Sequence, residues 1–244
     1  MKKNSRLGKS ARKLLAFDRR SKITKLAHEI ANALGYPTSN VFDDLGRTLV
    51  HYAPIHRLLE KFSRGNFRGK TILHLGASTG LYTMFLQEKG ARAIALDINQ
   101  AANEIAKRIG NRNIVRANAQ LSKSLKELAP RFLPFKSNSM NAVVSDHFLF
   151  SGYTEVDDIK GRSIDHSTSL LVMVELYRIL KPGGIAVLNF RVDSFGKEKD
   201  VKQIEKMGFK VIRPKKPLKW LPNYFWDNPQ QEKMAILVCR KKRQ

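Results

Sequence analysis

The chain has 244 residues, 42% of them hydrophobic, which is enough for one large α/β domain with a modest extension. Its 45 Lys and Arg residues outnumber 21 Asp and Glu residues, so the formal net charge is +24 and the pI is about 10.3. Cys239 is the only cysteine, which excludes an intrachain disulfide framework, and no apolar run reaches the length of about eighteen residues that a membrane span needs.

The first segment, residues 1–22, is predicted to be a basic and flexible tail. Asp18 is the only acidic residue in it, and cations this dense repel one another unless phosphate is bound. The segment lacks the apolar centre of a secretory signal, so we expect a cytoplasmic protein, although its composition also fits an organellar presequence. The basic residues through position 25 are Lys2, Lys3, Arg6, Lys9, Arg12, Lys13, Arg19, Arg20, Lys22 and Lys25.

Residues 23–64 are predicted to form a helical cap. Apolar residues recur at helical spacing from Ile23 to Leu34, and Gly35 and Pro37 are typical helix stops. A second helical piece is predicted over residues 41–49, and a third follows Pro54, over residues 55–62. The polar turn at residues 63–70 then separates this cap from the remaining chain.

The pattern from Thr71 to Asn99 predicts a strand, a glycine turn, a helix and a second strand. Residues 71–75 form a short aliphatic run that suits a buried parallel strand. Gly76 and Gly80 then allow a ligand to approach the backbone closely. Asp97 ends the next apolar run about twenty residues later, where a carboxylate can accept hydrogen bonds from both ribose hydroxyls. The pattern predicts a site for an adenosine-bearing ligand.

Helices and strands continue to alternate after Asp97. A helix is predicted over residues 101–109, and Ile114 and Val115 open a third strand. Another helix ends near Leu180, because Pro182 prevents continuation and two glycines turn the chain into a strand over residues 185–188. The last two strands are predicted over residues 209–212 and 234–238.

Three motifs resemble those of the class I S-adenosylmethionine-dependent methyltransferases. Gly76-x-x-x-Gly80 resembles their first motif, the segment from Leu133 to Ser145 resembles the one leading into their fourth strand, and residues 180–184, LKPGG, resemble the turn before their fifth. The resemblance covers the chain from Thr71 to about Arg240. It implies a Rossmann-like α/β domain over residues 65–244, with a seven-stranded, mostly parallel sheet, helices on both faces and a final antiparallel strand. In this family a helical extension such as residues 23–64 covers the cofactor; simple packing on the sheet is the alternative.

The same resemblance implies S-adenosylmethionine as cofactor and nominates the residues that hold it. His74 stands where an acid is usual in the family, and Ser78 replaces the middle glycine. Asn118 corresponds to a residue that contacts adenine, although an Asn in a loop also often makes its own turn. The nominated cofactor-binding residues are His74, Gly76, Ala77, Ser78, Thr79, Gly80, Asp97, Ile98, Asn118, Ala119 and Asp146.

Asp146 and His147 are the candidate catalytic residues, because open α/β sheets bind ligands at the carboxyl ends of their strands. An imidazole can titrate near neutral pH and act as a base, although His147 also fits a structural role. Methylation of a base amine is disfavoured because this site lacks the family's paired prolines, and a cysteine nucleophile is disfavoured because Cys239 falls in a predicted strand. No ligand spacing in residues 151–169 supports a metal site, so none is predicted.

Asp146 also matches the aspartate of the Lys-Asp-Lys-Glu tetrad of RNA ribose 2′-O-methyltransferases, which gives a partial resemblance to that group. Asn189 stands at the second lysine position, however, so only one tetrad residue matches well. A polar insertion at residues 151–169 is predicted to be a substrate loop. Residues 214–229 mix lysines with aromatic side chains that either stack on bases or pack in the core.

The charge of the chain favours RNA or a ribonucleoprotein as partner, since a strongly positive field attracts polyanions. An anionic lipid surface and a merely soluble basic surface are the alternatives. We therefore expect an S-adenosylmethionine-dependent methyltransferase that acts on RNA, either rRNA or tRNA. The alternatives are a small-molecule or lipid methyltransferase, and a catalytically degenerate RNA-binding or ribosome-associated protein with the same fold.

Overall fold

The computed structural model describes residues 13, 14, 16, 23–35, 48–117, 133–146, 166–191, 198–212 and 234–242. In chain order they are α1 (Ile23–Ala33), α2 (Thr48–Ser63), β1 (Thr71–Leu75), α3 (Leu81–Glu88), β2 (Arg92–Asp97), α4 (Gln100–Arg108), β3 (Ile114–Arg116), β4 (Met140–Asp146), α5 (His166–Ile179), β5 (Leu180–Arg191), α6 (Glu198–Lys206), β6 (Phe209–Ile212) and β7 (Met234–Lys241).

The strands form one seven-stranded sheet in the order β3-β2-β1-β4-β5-β7-β6. Strands β1 to β5 pair in parallel, and β7 runs antiparallel to both β5 and β6. The predicted Rossmann-like fold, with its mostly parallel sheet and antiparallel last strand, is confirmed. Because the strand order reverses beside β1, the crevice at the carboxyl ends of β1 and β4 is the place where such sheets bind ligands.

Helices cover both faces of the sheet, and alternate side chains of each strand point to opposite faces. On one face, α5 and α6 pack on residues such as Leu73, Val143 and Leu188. On the other face, α2 and α3 pack on residues such as Ile72 and Val144. A smaller cluster joins α1 to α4 and to the first residue of α3, through Ala27, Ile105, Ile109 and Leu81.

Helix α2 differs from the prediction, since Pro54 lies inside it and does not begin it. A proline inside a helix removes one backbone hydrogen bond, at a cost of about 3 kcal/mol. The burial of Tyr52, Ile55 and Leu59 against the sheet offsets this cost. Residues 41–47 of the second predicted helical piece lie outside the described residues. In the described part of the cap, α2 packs on the face of the sheet and α1 packs on α4 and the start of α3. The role of the cap in substrate selection stays a prediction.

Two residues of the predicted basic tail contact this packed region. Leu14 is fully buried in the same cluster as α2, and Lys13 Nζ lies 2.5 Å from Glu60 Oε1. The burial of one leucine is worth about 2 kcal/mol, enough to hold this point of the tail near the last turn of α2. The tail is thus joined to the domain at residues 13 and 14.

The two motifs in the second half of the chain that resemble the methyltransferase family, residues 133–145 and 180–184, have structural roles. Glu175 accepts a hydrogen bond from the backbone N–H of Leu133, and Arg178 donates to the carbonyls of Leu133 and Phe135. The predicted turn over residues 180–184 is part of β5 instead, because Leu180 already pairs with Met140 before an irregularity lets Ala142 pair with Ile185. In the described part of the chain, no helix is both long enough and apolar enough to cross a membrane.

Candidate functional site

The loop between β1 and α3 has the backbone shape of a ligand-binding turn. Gly76, Ser78 and Gly80 have φ angles of 64°, 45° and 71°, in the left-handed region that side chains disfavour. The backbone N–H groups of Gly76 and Ala77 both donate to the carbonyl of Leu96, so the loop is fixed to the end of β2. The loop therefore presents its remaining backbone at the carboxyl edge of the sheet, which we call the rim.

Asp97 lies at the end of β2 and faces this loop. Its Oδ2 accepts a hydrogen bond of 2.7 Å from the backbone N–H of Ser78, and its Oδ1 accepts one of 2.9 Å from Asn99. Only 8% of the residue is exposed, and burial raises the pKa of its carboxyl, an effect that the N–H groups of Asn99, Ser78 and Ile98 partly oppose. A carboxylate has about four lone-pair sites, so two remain for further donors.

Gly80 could not be replaced by a larger residue without displacing its neighbour. A Cβ added at Gly80 would lie 2.5 Å from Nδ2 of Asn111, and that nitrogen also donates to the carbonyl of Gly80 at 3.4 Å. Asn111 is buried and is itself held by Gln87, whose Nε2 donates to its Oδ1 at 3.2 Å. The sequence reasoning missed Asn111, because an isolated Asn after a helix carries no periodic signal.

Two further asparagines hold the chain that follows Asp97. Asn99 is the N-cap of α4 and accepts a hydrogen bond from the backbone N–H of Ala102. Asn103 donates from Nδ2 to the carbonyl of Asp97 at 3.1 Å, and within the described residues its buried Oδ1 has no hydrogen-bond partner. An Asn immediately before an amphipathic run is a recognisable cap signal, so Asn99 could have been predicted, whereas Asn103 could not.

His74 lies under the loop and is buried, with both ring nitrogens in contact with other side chains. Its Nε2 is 2.6 Å from the hydroxyl of Tyr52, and its Nδ1 is 3.0 Å from Oγ1 of Thr83. Tyr52 in turn stacks on Tyr82, with ring centroids 4.2 Å apart. The acid expected here in the family is thus replaced by an imidazole that joins β1 to α2 and α3, and a direct contact with the cofactor stays a prediction.

The same polar chain continues along α2. His56 Nδ1 lies 3.2 Å from the Tyr82 hydroxyl, and its Nε2 lies 3.4 Å from Oε1 of Glu60. Burial lowers the pKa of His56 to about 4, and Lys13 and Lys89 act in the same direction while Glu60 opposes them. His56 is therefore neutral at pH 7. Polar contacts join Glu60 to Tyr82 through His56, and the stacked rings of Tyr82 and Tyr52 continue the connection to His74 in β1.

The structure brings together the loop residues Gly76 to Gly80, Asp97 and Ile98. Asp146 ends β4, where it pairs in register with Asn189, and the preceding residue Ser145 pairs with Leu75 at the end of β1. Asp146 therefore reaches the same rim as the loop, as predicted from its position. The other nominated residues, Asn118, Ala119 and His147, lie outside the described residues, as do the segments 151–165 and 214–229.

Two other kinds of chemistry find no centre in the described part of the molecule. No group of three His, Cys, Asp or Glu side chains within it could hold a metal ion. Cys239 is buried in the middle of β7, beside Ala186 and Val211, and burial raises the pKa of its thiol. A protonated thiol inside the sheet cannot act as a nucleophile at the rim.

Comparison with known proteins agrees with this geometry. Residues 73–188 match the profile of a family described as "Methyltransferase domain". That interval contains the glycine loop, Asp97 and Asp146, and the family implies S-adenosylmethionine as the cofactor. A search of curated proteins gives no significant match.

Solved structures share the fold at low identity. An S-adenosylmethionine-dependent methyltransferase from Mesorhizobium loti has a TM-score of 0.54 at 13% identity, over 78% of this chain and 98% of that one. A TehB-like methyltransferase from Corynebacterium glutamicum has a TM-score of 0.50 at 15% identity, over 79% and 97%. A chain from the complex of the Haloferax volcanii Trm112 methyltransferase activator with a candidate methyltransferase has a TM-score of 0.52 at 14% identity, over 88% and 98%. None of these descriptions names an RNA 2′-O-methyltransferase, so that part of the resemblance stays a prediction.

The residues at the rim fit this cofactor. The loop has no side chain at Gly76 and Gly80, where a nucleoside must pass close to the backbone. The lone pairs left on Asp97 match the two hydroxyl donors of a ribose. The match over residues 73–188 and the donor set at the rim both fit S-adenosylmethionine as the cofactor.

Proposed function

We propose that this chain is an S-adenosylmethionine-dependent methyltransferase whose substrate is RNA, rRNA or tRNA. The observation that carries the cofactor part is the contact between the Ser78 N–H and Asp97 Oδ2 at the carboxyl edge of a parallel sheet. The observation that favours RNA is the net charge of +24. The RNA part goes beyond the family match, which leaves the substrate open.

In this proposal Asp97 binds both ribose hydroxyls and fixes the nucleoside end of the cofactor. The loop at residues 76–80 approaches its other end with backbone atoms, since glycine leaves room for contact. When bound, the cofactor supplies a methyl group on a sulfonium ion, which is open to in-line attack. Positioning alone lowers the barrier of such a reaction, often by about 7 kcal/mol or more. The rim therefore needs orienting groups more than it needs a strong base.

Asp146 and His147 are the proposed orienting groups on the substrate side. Asp146 ends β4, next to the end of β1, so it lies at the same rim as the cofactor loop. A carboxylate there can accept a hydrogen bond from an attacking hydroxyl or amine, and a neutral imidazole can take its proton. Substitution of Asp146 by Asn therefore should lower the rate of methyl transfer more than it lowers cofactor affinity.

The test is methyl transfer from labelled S-adenosylmethionine. Purified protein is incubated with total RNA, with a lipid extract or with a metabolite extract, and the incorporated label is counted in each. The proposal expects label in RNA, and expects Asp97→Ala to abolish it. Label in lipid or metabolites and none in RNA would overturn the RNA part.

A matched measurement separates an enzyme from a degenerate RNA-binding protein. The His74 network is one reason to consider the degenerate protein, because an imidazole with two internal partners occupies the position of the usual acid. A degenerate protein binds RNA but shows neither cofactor binding nor methyl transfer. Such a result would overturn the proposed activity while leaving the fold as described.

A further inference from the structure

The edge of the sheet opposite the rim carries exposed cations where its strands begin. In a parallel sheet all strands start at one edge, and β7, which is antiparallel, ends there beside the starts of β5 and β6. Each of the cations concerned is exposed and lies at, or within four residues of, the first residue of a strand. We call this set the basic edge; its residues are Arg68, Arg92, Arg112, Lys136 and Lys210.

The position of these cations is not explained by helix dipoles. Basic residues in the last turn of a helix, such as Lys107 and Lys206, interact with the negative end of the dipole and need no other partner. Strand starts offer no such interaction, because sheets have only small net dipoles. Among the described ion pairs, none involves a residue of the basic edge. Their charges are therefore directed at solvent or at an external partner.

Other cations near this edge are already used inside the molecule. Lys241 is buried and donates to Asn138 Oδ1 and to the carbonyls of Tyr177 and Leu180. Arg178 is held by Glu175. The contrast shows that the fold binds the cations it needs for packing and leaves the basic edge exposed.

Nearby carboxylates do not neutralise the basic edge. Glu88 lies 3.3 Å from Lys89, and Glu104 lies 2.9 Å from Arg108, so each already faces a cation outside the set. Glu60 faces Lys13. Of the exposed acids described near this edge, Glu205 has no ion-pair partner among the described residues, and it lies beside Lys206, Lys202 and the cationic start of β6. The surface therefore keeps a positive potential.

The basic tail joins the molecule beside this same edge. Glu60 is in the last turn of α2, which leads through residues 64–70 into the start of β1, and Lys13 is in contact with Glu60. Residues 13 and 14 therefore meet the domain near the start of β1, which is one of the strand starts of the basic edge. Six strand spacings of about 4.8 Å give this edge a width of about 29 Å, which exceeds any single phosphate group.

We propose that the basic edge forms a docking surface for the phosphate backbone of RNA, on the side of the sheet away from the reaction rim. This inference rests on the proposed RNA substrate and adds where that substrate is held. The neighbouring strands β2, β1 and β4 have five to seven residues, so the two edges lie about 17 to 23 Å apart there. An RNA that contacts both edges must be a large folded molecule or part of a ribonucleoprotein, and a mononucleotide cannot bridge them.

Two variants with the same net charge test the proposal. The edge variant combines Arg68→Gln, Arg92→Gln and Lys136→Gln, at the starts of the neighbouring strands β1, β2 and β4. The control variant removes three exposed cations from other surfaces of α1, α2 and α6, through Lys25→Gln, Arg57→Gln and Lys199→Gln. Full-length protein of each kind is titrated with a single-stranded oligoribonucleotide between about 50 and 200 mM salt. Circular dichroism and S-adenosylmethionine binding verify that each variant is folded.

The edge variant is expected to bind RNA about tenfold or more weakly than the wild type, with a salt slope shallower by about 2, because each phosphate contact on a single strand contributes about 0.7. The control variant is expected to stay within about threefold, since separated exposed charges are screened beyond about 10 Å. Equal losses in both variants, or no loss in the edge variant, would overturn the docking surface. Vesicles of phosphatidylcholine and phosphatidylserine form a parallel arm, and an edge-dependent loss of vesicle binding without a loss of RNA binding would also overturn it.

The proposed activity fails on a different readout. Wild-type protein that methylates RNA while the edge variant binds it normally would remove the docking surface and leave the activity. Edge-dependent RNA binding without any methyl transfer would remove the activity and leave the docking surface.

Discussion

The two edges of the sheet treat charge in opposite ways. At the rim, Asp97 is buried and its carboxylate is fixed by the N–H groups of Ser78 and Asn99. At the basic edge, cations such as Arg92 and Lys210 are exposed, without carboxylate partners among the described residues. A buried, oriented group recognises one small ligand, whereas exposed charges attract a long polyanion by field alone. The difference agrees with the proposal that the cofactor binds at the rim and RNA docks on the basic edge.

Replacing Gly80 by Ala is the change expected to separate the two edges most. The left-handed backbone costs an L-residue about 1 to 2 kcal/mol, and crowding against Asn111 adds about 1 to 3 kcal/mol. Urea unfolding should therefore show a loss of about 2 to 5 kcal/mol, together with a loss of cofactor binding. RNA affinity of the folded fraction should not change.

Gly65 provides the matched control near the other edge. Its φ of 70° is close to that of Gly80, but a Cβ there meets nothing within 4 Å. Gly65→Ala should therefore cost only the backbone part, about 1 to 2 kcal/mol, and leave cofactor affinity intact. Equal losses at Gly80 and Gly65 would show that the contact with Asn111 does not constrain the loop.

The next largest effect concerns His56, which lies between Tyr82 and Glu60. Its pKa is about 4 in the folded chain and about 6.5 in the unfolded one, so only the unfolded state gains this proton between those values. The free energy of unfolding should fall as pH drops from about 6.5 to 4, by at most about 3 kcal/mol from this group. Comparison of the wild type with His56→Gln isolates this part, since the raised pKa of Asp97 affects both proteins alike.

Three charged groups act on the pKa of His56. Glu60 faces it from the same helix, and Lys13 and Lys89 act on it from the tail and from the end of α3. His56→Gln should therefore lose less stability than the wild type on acidification. Above pH 7, the two curves of unfolding free energy against pH should run parallel. Parallel curves over the whole range would show that His56 is not desolvated.

A smaller effect is expected when the hydroxyl of Tyr52 is removed. Tyr52→Phe keeps the stacking on Tyr82 but takes the partner from Nε2 of His74, which should cost about 1 to 2 kcal/mol of stability. Tyr82→Phe, whose hydroxyl contact with His56 is longer at 3.2 Å, should cost less. A larger loss of stability in Tyr82→Phe than in Tyr52→Phe would mean that the contact with His56 contributes more than the contact with His74.

The sequence predicted the sheet well because its signals are local. The run at residues 71–75 is apolar, Gly76 ends it, and the spacing to Asp97 fits one strand-helix-strand unit. Prediction failed where burial overrides a local rule. Pro54 is tolerated inside α2 because Tyr52 and Ile55 are buried on both sides of it. Residues 180–184 belong to β5 because Leu180 already pairs with Met140, and the extra residues before Ile185 form an irregularity within β5 that no local pattern indicates.

The site was predictable to the extent that it follows strand ends. The spacing predicted that Asp97 and the glycine loop follow neighbouring strand ends, and in the structure Ser78 donates a hydrogen bond to Asp97 there. Their role in holding the cofactor stays a prediction. The pairing of Asn111 with Gly80, 31 residues apart, was not predictable, because a contact between two loops leaves no periodicity. The link from His74 to Tyr52 was hidden for the same reason, since it depends on how α2 packs across the sheet.

The most direct test of the central claim is titration of the intact protein and of Asp97→Asn with S-adenosylmethionine by calorimetry. The account predicts that one cofactor molecule binds the wild type, and that the variant binds it about 10- to 100-fold more weakly, because hydrogen bonds to a charged group are worth about 1.5 to 3 kcal/mol. RNA affinity at fixed salt should be the same in both. Absence of cofactor binding in the wild type, or equal affinity in the two proteins, would contradict the assignment of Asp97 and the glycine loop as the cofactor site.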